Sequence, residues 1–441
     1  MSIYSVGTHT PSSLQTVPFW TEDIPRPADL PTASLPDWVD VAVIGSGYTG
    51  LHAARTVAKA GGSVVVLEQE TIGWGASSRN GGMANPGLKE SAANLFKHYG
   101  AARGRALWDW SLAAIDFLEA TIRDEGIACD FGRYGQVVLA AKPSHLPQMR
   151  AEVRWHREML GDSAPELLGP AELASEIGSP AFFGGIRDPR AAGLHPAKYV
   201  FGLAHAAARA GALLVERTRV RAVTGKPGSY LLTTDGGQMQ AREVLLATNG
   251  YTTDLVPAAR RGIFSGGSYI ITTPPLTQEM QAALSPRGRM FYDSKHFLNY
   301  FRLTPDGRML FGGRHNLSAD LDLQTSATEL RKRMVEVFPA LVDVPITHSW
   351  TGRLGLTFDL MPHAGRVQDG PAPGLFYAYG YGGHGVAVAG YLGYAVGSLL
   401  AGRTVDNPLL GLPHPRYFFT PYERYYLPLV SAWFRFLDRI S

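Results

Sequence analysis

Three glycines and a carboxylate are the first residues whose spacing suggests a chemistry. In "GSGYTG", Gly45, Gly47 and Gly50 form G-x-G-x-x-G, and Glu68 closes the apolar run that comes next. The first glycine of such a triplet permits a tight turn. The second lets backbone approach a phosphate, and the third lets a helix pack close to a strand. A helix start also offers unpaired N–H groups and a partial positive charge. The chemistry predicted is therefore pyrophosphate binding, with Glu68 placed to hydrogen-bond a ribose. An acid there disfavours a 2′-phosphate, and so argues against NADP.

Two further runs carry chemistry. "GWGASSRNGG", 73–82, is too rich in small residues to be a core strand, and it can wrap a planar or anionic group. Far downstream, "GLFYAYGYGGHGVAVAGYLGYAVGSLLAG" gives a strand, a glycine turn and a small-residue helix. A helix start at Gly382–Val386 can set N–H groups beside an electron-rich ring edge.

Elements must position these runs. The apolar stretch 41–44 predicts a buried parallel strand. Leu51, Ala54, Val57 and Ala58 recur at helical spacing. Gly61 and Gly62 end that helix before a second strand at 64–67. Strand, triplet, helix, strand and acid, in that order, form a dinucleotide-binding βαβ unit. Downstream, 91–125 reads as helix and 133–140 as strand, with helical sequence on to about 178. A helix at 198–211 and strands at 212–223, 230–234 and 243–250 follow. Asp235-Gly236-Gly237 signals a hairpin. Strands alternate through 268–314, and 327–338 reads as helix. Residues 1–37 are proline-rich and predict an extended arm pinned by Phe19 and Trp20.

The glycine turn, "LEQ", "GWGASSRNGG", "YFRLTPDGRMLFGG", "W-T-G-R" and "GGHGV" together resemble the FAD-dependent D-amino-acid-oxidase-like superfamily, which includes glycine and sarcosine oxidases. Within it they look most like γ-glutamylputrescine oxidoreductases, as does the opening "PFWTEDIP". The resemblance runs from about Asp40 to Gly402. It implies a two-domain α/β (α+β) flavoprotein: a Rossmann-like FAD-binding domain with a mixed sheet, and an antiparallel-sheet substrate domain. The expected division gives 38–90, 186–262 and 345–402 to the FAD domain, and 91–185 with 263–344 to the substrate domain. The arm is 1–37, and 403–441 is a tail.

The resemblance also assigns residues. Gly45, Ser46, Gly47, Tyr48, Thr49 and Gly50 match the pyrophosphate turn. Glu68 and Gln69 match the ribose end. Gly75, Ala76, Ser77, Arg79, Asn80, Gly81 and Gly82 match the segment leading to the flavin ring. Val220 matches the residue whose backbone meets the adenine, and Ala247, Thr248 and Gly250 match the strand end that follows. Gly352 belongs to "W-T-G-R". Gly382, Gly383, His384, Gly385 and Val386 match the helix start facing the flavin pyrimidine. No attachment residue matches, since Cys129 lies outside these segments, so the FAD is expected to be non-covalent. Phe311 stands near the place where sarcosine oxidases carry a lysine that promotes reaction with oxygen. Slow reoxidation by oxygen is the expectation, unless His384 or Lys295 supplies the charge.

The function implied is oxidation of the C–N bond of an amine or amino acid by hydride loss to flavin N5. The imine would then hydrolyse to an aldehyde or keto acid. A γ-glutamylputrescine-like or other substituted alkylamine is the first substrate class, and a glycine, sarcosine or D-amino acid is the alternative. A dehydrogenase using an acceptor other than oxygen is a further alternative. A flavin hydroxylase is disfavoured because the late glycine block lacks its aspartate. A non-catalytic FAD-fold binder is disfavoured by the intact flavin segments.

His384, Arg353 and Tyr300 are the catalytic candidates. His384 is either a polar contact at the flavin edge or a structural histidine. Arg353 either holds a substrate carboxylate or forms a structural ion pair, with Asp359 as the proposed partner. Tyr251, Tyr300 and Tyr381 either wall the pocket or belong to the core, and His195 is placed near the entrance.

Composition sets bounds on the rest. The chain has 441 residues, a net charge of +3 and one cysteine. That implies no field for nucleic acid, no intramolecular disulfide and no cysteine metal cluster. No metal site is expected. No signal peptide or spanning segment is read, so a cytoplasmic, non-inserted protein is expected. The aromatic tail reads either as a membrane-interface segment or as a helix packed on the body. Its prolines favour the second reading.

Overall fold

An apolar run with no polar face needs neighbours on both sides. In the computed structural model, which describes residues 14–314, 316–318 and 320–440, Trp38–Ile44 lies between Val64–Leu67 and Gly237–Leu246, parallel to both. The sheet continues in the order His363–Arg366, Phe376–Tyr379, Gly237–Leu246, Trp38–Ile44, Val64–Leu67, Leu213–Val215. His363–Arg366 runs antiparallel to its neighbour. So does the hairpin of Val220–Lys226 and Ser229–Thr234, which hangs on Gly237–Leu246. This first sheet is therefore mixed.

Helices Tyr48–Lys59 and Gly385–Leu400 pack against each other with glycine at the contact. A Cβ on Gly393 would come within 2.4 Å of Thr49 O, and one on Gly397 within 2.7 Å of Ala53 O. The small-residue character of the second helix thus fixes how closely the two helix starts converge.

The second sheet runs His348–Leu356, Phe264–Pro275, Arg308–Gly313, Tyr300–Leu303, Met290–Asp293, Gln136–Leu139, Gly185–Asp188, Glu166–Leu168. Its pairs are antiparallel except Met290–Asp293 with Gln136–Leu139. Helix Leu323–Val337 covers one face, packing Leu330 and Met334 in a cluster with Phe301 and Phe311. The other face turns toward the first sheet.

Several elements differ from the sequence reading. The helix read over 91–125 breaks at Gly100, which takes φ +80° between Ala92–Tyr99 and Ala101–Glu125. The expected helical run to 178 is interrupted by the strand Glu166–Leu168. Strand His348–Leu356 falls within 345–402 but pairs in the second sheet, and Gly185–Asp188 does the same beside 186–262. These are the places where the chain passes between sheets.

The tail does form one helix, Glu423–Ile440, although Pro428 lies inside it. Proline there removes one N–H bond, while the body supplies several anchors. Ser431 Oγ accepts from the Leu317 N–H at 3.0 Å. Asp438 accepts from the N–H groups of His296 and Phe297 at 2.8 and 3.0 Å. Glu423 pairs with Arg260. Tyr425, Leu429, Trp433 and Phe436 stay exposed on this helix. Among the described residues, no helix is long and apolar enough to cross a membrane. In the arm, residues 1–13 lie outside the described residues, and Phe19–Asp23 forms a short helix that buries Phe19 and Trp20.

Candidate functional site

The glycine turn behaves as its spacing dictates. Gly45 has φ +107°, and a Cβ on it would sit 2.8 Å from Ala247 O. A Cβ on Gly50 would sit 2.0 Å from Gly45 O, so only glycine lets the helix close on the turn. Gly47 is different: its backbone suits any residue, and a Cβ would meet only Ser77 Oγ at 3.0 Å. The helix it precedes has no side-chain cap and no acid in its first turn, which leaves its positive end for a ligand. Glu68 closes the next strand. Its carboxylate accepts from Ser46 N–H at 3.1 Å and Ser46 Oγ–H at 2.6 Å.

Most of these residues line one long cleft. Gly45, Ser46, Gly47, Tyr48, Thr49, Glu68 and Gln69 form one end, with Val220, Ala247 and Thr248. Gly75, Ala76, Ser77 and Asn80 form one wall, and Gly382, Gly383, Gly385 and Val386 close the far end. Tyr251 and Tyr381 also line it. The helix starting at Gly385 again lacks a capping side chain and an acid in its first turn. Tyr381 OH meets Thr49 Oγ1 at 2.6 Å and so joins the two helix starts. Two uncapped helix ends, a glycine cradle and a ribose-height carboxylate in one long cleft fit a dinucleotide flavin.

The 73–82 loop is tied down by tryptophans. Trp20 Nε1–H donates to Asn80 O at 2.9 Å, and Trp350 Nε1–H donates to Arg79 O at 2.9 Å. Arg79 donates to Trp74 O at 2.7 Å and lies over the Trp74 ring. Asn80 donates to Ala76 O and accepts from Gly82 N–H.

A second chamber meets the cleft at Ala76, Asn80, Leu354, Gly382, Gly383 and Val386. Arg79, Gly81, Gly352, Tyr300 and His384 line it, as do Met83, Asn85, Lys89, Ser268, Tyr292, Leu298 and Arg314. Tyr300 OH meets Ser268 Oγ at 2.9 Å. A Cβ on Gly312 would collide with the Tyr300 ring at 2.2 Å, so this glycine leaves the room that Tyr300 fills. Burial, with the charge of Lys89 added, pulls the His384 imidazole down to about 3, so it is neutral across the ordinary pH range. Its buried Nδ1 and the Asn85 Oδ1 have no hydrogen-bond partner among the described residues. Burial beside Arg314 lowers the Lys89 ammonium to about 8, opposed by Glu90.

Some expected residues lie elsewhere. Arg353 lines neither cavity; it pairs with Asp320 at 2.8 Å in a surface hollow under the C-terminal helix. Asp359, its expected partner, pairs with His363 at 3.0 Å. The cause is strand alternation: Trp350, Gly352 and Leu354 turn inward, and Arg353 turns out. Gly50, Gly82 and Gly250 line neither cavity. They act instead by letting backbone pass, Gly82 against Leu194 O and Gly250 against Arg353 O. His195 is buried, accepts from Lys198 N–H at the start of helix Pro196–Arg209, and meets Asp23 at 3.2 Å. Phe311 is buried in the cluster behind the second sheet, so nothing at that position could face the chamber. Lys295 sits 3.9 Å from Asp293, outside both cavities. The chamber's charges are Lys89, Arg79 and Arg314. No local sequence pattern marks Lys89 or Arg314; inward alternation from Gly312 alone could have pointed to Arg314.

Comparison with known proteins identifies the family. "Probable oxidoreductase OrdL" of Haemophilus influenzae is 33% identical over 377 residues, covering 84% of this chain and 83% of that protein. The gamma-glutamylputrescine oxidoreductase of Escherichia coli is 31% identical over 377 residues, covering 85% and 87%. The crystal structure of glycine oxidase from Geobacillus kaustophilus shares the fold, with a TM-score of 0.75 at 21% identity, over 87% of this chain and 100% of that one. The family model described as FAD dependent oxidoreductase, DAO, matches residues 40–399. With that match over most of its length, the chain belongs to the DAO family of FAD-dependent oxidoreductases.

Proposed function

We propose that the protein oxidises the C–N bond of an amine bound in the second chamber. One observation carries the reading: the chamber opens onto the far end of the FAD cleft and, among the described residues, is lined by no Asp or Glu side chain. Bound FAD supplies the two-electron acceptor, and the imine product hydrolyses to a carbonyl compound. The chain's own task is then binding, orientation and exclusion of water.

Tyr300, Tyr292, Met83 and Leu298 provide an apolar wall that removes water from the reacting carbon. Asn85 Oδ1, buried and unpartnered, is an acceptor for an amine N–H. With no carboxylate base among the described residues that line the chamber, the amine must react as its neutral form. His384, already neutral, offers Nδ1 as a hydrogen-bonding atom and brings no charge of its own. The names of the relatives support an amine or amino acid as the substrate class. Fold alone does not select one.

The test is an anaerobic screen of alkylamines, amino acids and γ-glutamylated diamines against the purified yellow protein. Loss of the flavin colour with at least one amine is the expected result. A protein reduced by no amine but by another donor class would refute the reading.

A further inference from the structure

The C-terminal helix Glu423–Ile440 has two apolar faces, and the body uses one of them. Leu427 is buried in a cluster with Phe297 and Leu317, and Tyr426, Val430 and Phe434 pack against it. Tyr422, Tyr425, Leu429, Trp433, Phe436 and Ile440 form the other face. They recur every three or four residues, and each is between 50% and 73% exposed. At 3.6 residues per turn they fall within about 80° of one another. The 18-residue helix makes this stripe about 27 Å long.

The charges of the helix are sorted too. Its two acids turn to the body: Glu423 pairs with Arg260, and Asp438 accepts from the N–H groups of His296 and Phe297. Its three arginines, Arg424, Arg435 and Arg439, are exposed. They fall within about 60° of one another, in the sector between the body face and the apolar stripe. Arg424 lies over the Tyr425 ring at 4.6 Å, where the two sectors meet. Arg424 and Arg435 also line the hollow beneath the helix, where the acids Asp320 and Glu423 are already paired with Arg353 and Arg260. Lys142 Nζ donates to Asp438 O at 2.7 Å and adds a cation at the helix end. The outward surface of this helix is therefore apolar and cationic, with no carboxylate.

That combination selects an occupant. Tyrosine and tryptophan rings suit the boundary between headgroups and acyl chains. An arginine flank beside them attracts anionic lipid. A second copy fits less well. Antiparallel, two-fold pairing of the stripes sets each arginine flank against its own copy, and like charges there repel.

We propose that the C-terminal helix docks the protein on an anionic lipid surface, lying in the headgroup plane with the stripe from Tyr422 to Ile440 turned into it. The helix adsorbs and does not cross. The docked face is linked to the second chamber. Phe434 stacks on His296 at 5.2 Å, Asp438 holds Phe297, and Leu298, the next residue, lines the chamber. This inference is independent of the C–N reading.

The test is sedimentation of the FAD-loaded full chain with vesicles of phosphatidylcholine alone, or of an equal mixture of phosphatidylcholine and phosphatidylglycerol. Wild type should bind the anionic vesicles about tenfold or more tightly, and binding should weaken severalfold between about 0.1 M and about 1 M salt. Leu429→Gln with Trp433→Gln should abolish binding. Arg424→Gln with Arg439→Gln should lower it about tenfold or more and remove the preference for anionic lipid. Trp433→Phe should bind as wild type but lose most of the quenching of its fluorescence by brominated lipid. Flavin content and thermal melting confirm that each variant is folded, as these side chains leave the body contacts intact. Equal binding to the two vesicle types, binding to neither, or binding that survives Leu429→Gln with Trp433→Gln would overturn the proposal. So would a dimer in analytical ultracentrifugation that dissociates in that variant while vesicles leave wild type unbound; the stripe would then belong to a second copy.

Discussion

At the scale of single residues, Glu68 and Lys89 carry the sharpest expectations. Glu68 already closes the turn through Ser46 N–H and Oγ–H. Charge-assisted bonds of this kind contribute about 1.5–3 kcal/mol each. Glu68→Ala should therefore raise the FAD dissociation constant by roughly ten- to a hundredfold while leaving the rate of flavin reduction in the loaded protein nearly unchanged. Fluorescence of released flavin on dilution measures the first, and anaerobic stopped-flow measures the second.

Lys89 sets a pH limb. A neutral amine is favoured as pH rises, but Lys89, with burial and Arg314 lowering it to about 8, loses its charge over the same range. For an acidic amine at subsaturating concentration, reduction should climb from about pH 7 and then fall above about pH 8. Lys89→Arg should abolish the fall, because a guanidinium keeps its charge. His384 is neutral throughout, so His384→Asn should not move either limb. A wild-type profile that only rises would remove Lys89 from substrate binding.

At the scale of elements, the glycine turn separates folding from cofactor retention. Gly50→Ala puts a methyl 2.0 Å from a backbone oxygen that cannot rotate away. The helix must shift, at a cost of about 3 kcal/mol or more, so both melting temperature and flavin content should drop. Gly47→Ala has permitted backbone angles and a soft neighbour. It should melt close to wild type yet purify with little flavin. Equal losses in the two variants would mean that Gly47 is not where backbone meets phosphate.

The same scale shows why parts of the molecule were legible in sequence. The βαβ unit announces itself because strand, turn and helix signals are all local and all agree. The strand His348–Leu356 was harder. Its "W-T-G-R" offers the arginine as the obvious functional residue, whereas period-two alternation makes Gly352 and Arg353 exclusive: if one faces the chamber, the other cannot. Lys89 and Arg314 were invisible for a different reason. They share one space only because two distant segments converge on it; alternation from Gly312 hints at Arg314, and nothing local marks Lys89.

At the scale of the whole molecule, Glu125 is a junction. It ends helix Ala101–Glu125 and pairs with Arg55 and Lys59 of one helix and Arg209 of another, with only 9% of its side chain exposed. Burial alone would raise its carboxyl. The hydrogen bonds and charges of Lys59 and Arg55 outweigh that and hold it at about 2. A depressed carboxyl stabilises the fold above its unfolded value, near 4.3, and the contribution fades as pH falls toward the folded one. Glu125→Gln should therefore melt lower than wild type at pH 7, with the gap closing between about pH 4 and pH 2. A gap that stays constant over that window would show that the carboxylate charge is not what holds the three helices.

Of the eight tryptophans in the chain, three converge on the 73–82 loop. Trp20 and Trp350 each donate an indole N–H to it, and Trp74 lies within it. The protein thus carries its own optical gauge of cofactor occupancy. Adding FAD to stripped protein should dim and shift the indole emission in step with binding, with no label attached. Trp20→Phe should blunt that signal, and it should also speed flavin release, because the short helix Phe19–Asp23 then no longer braces the loop.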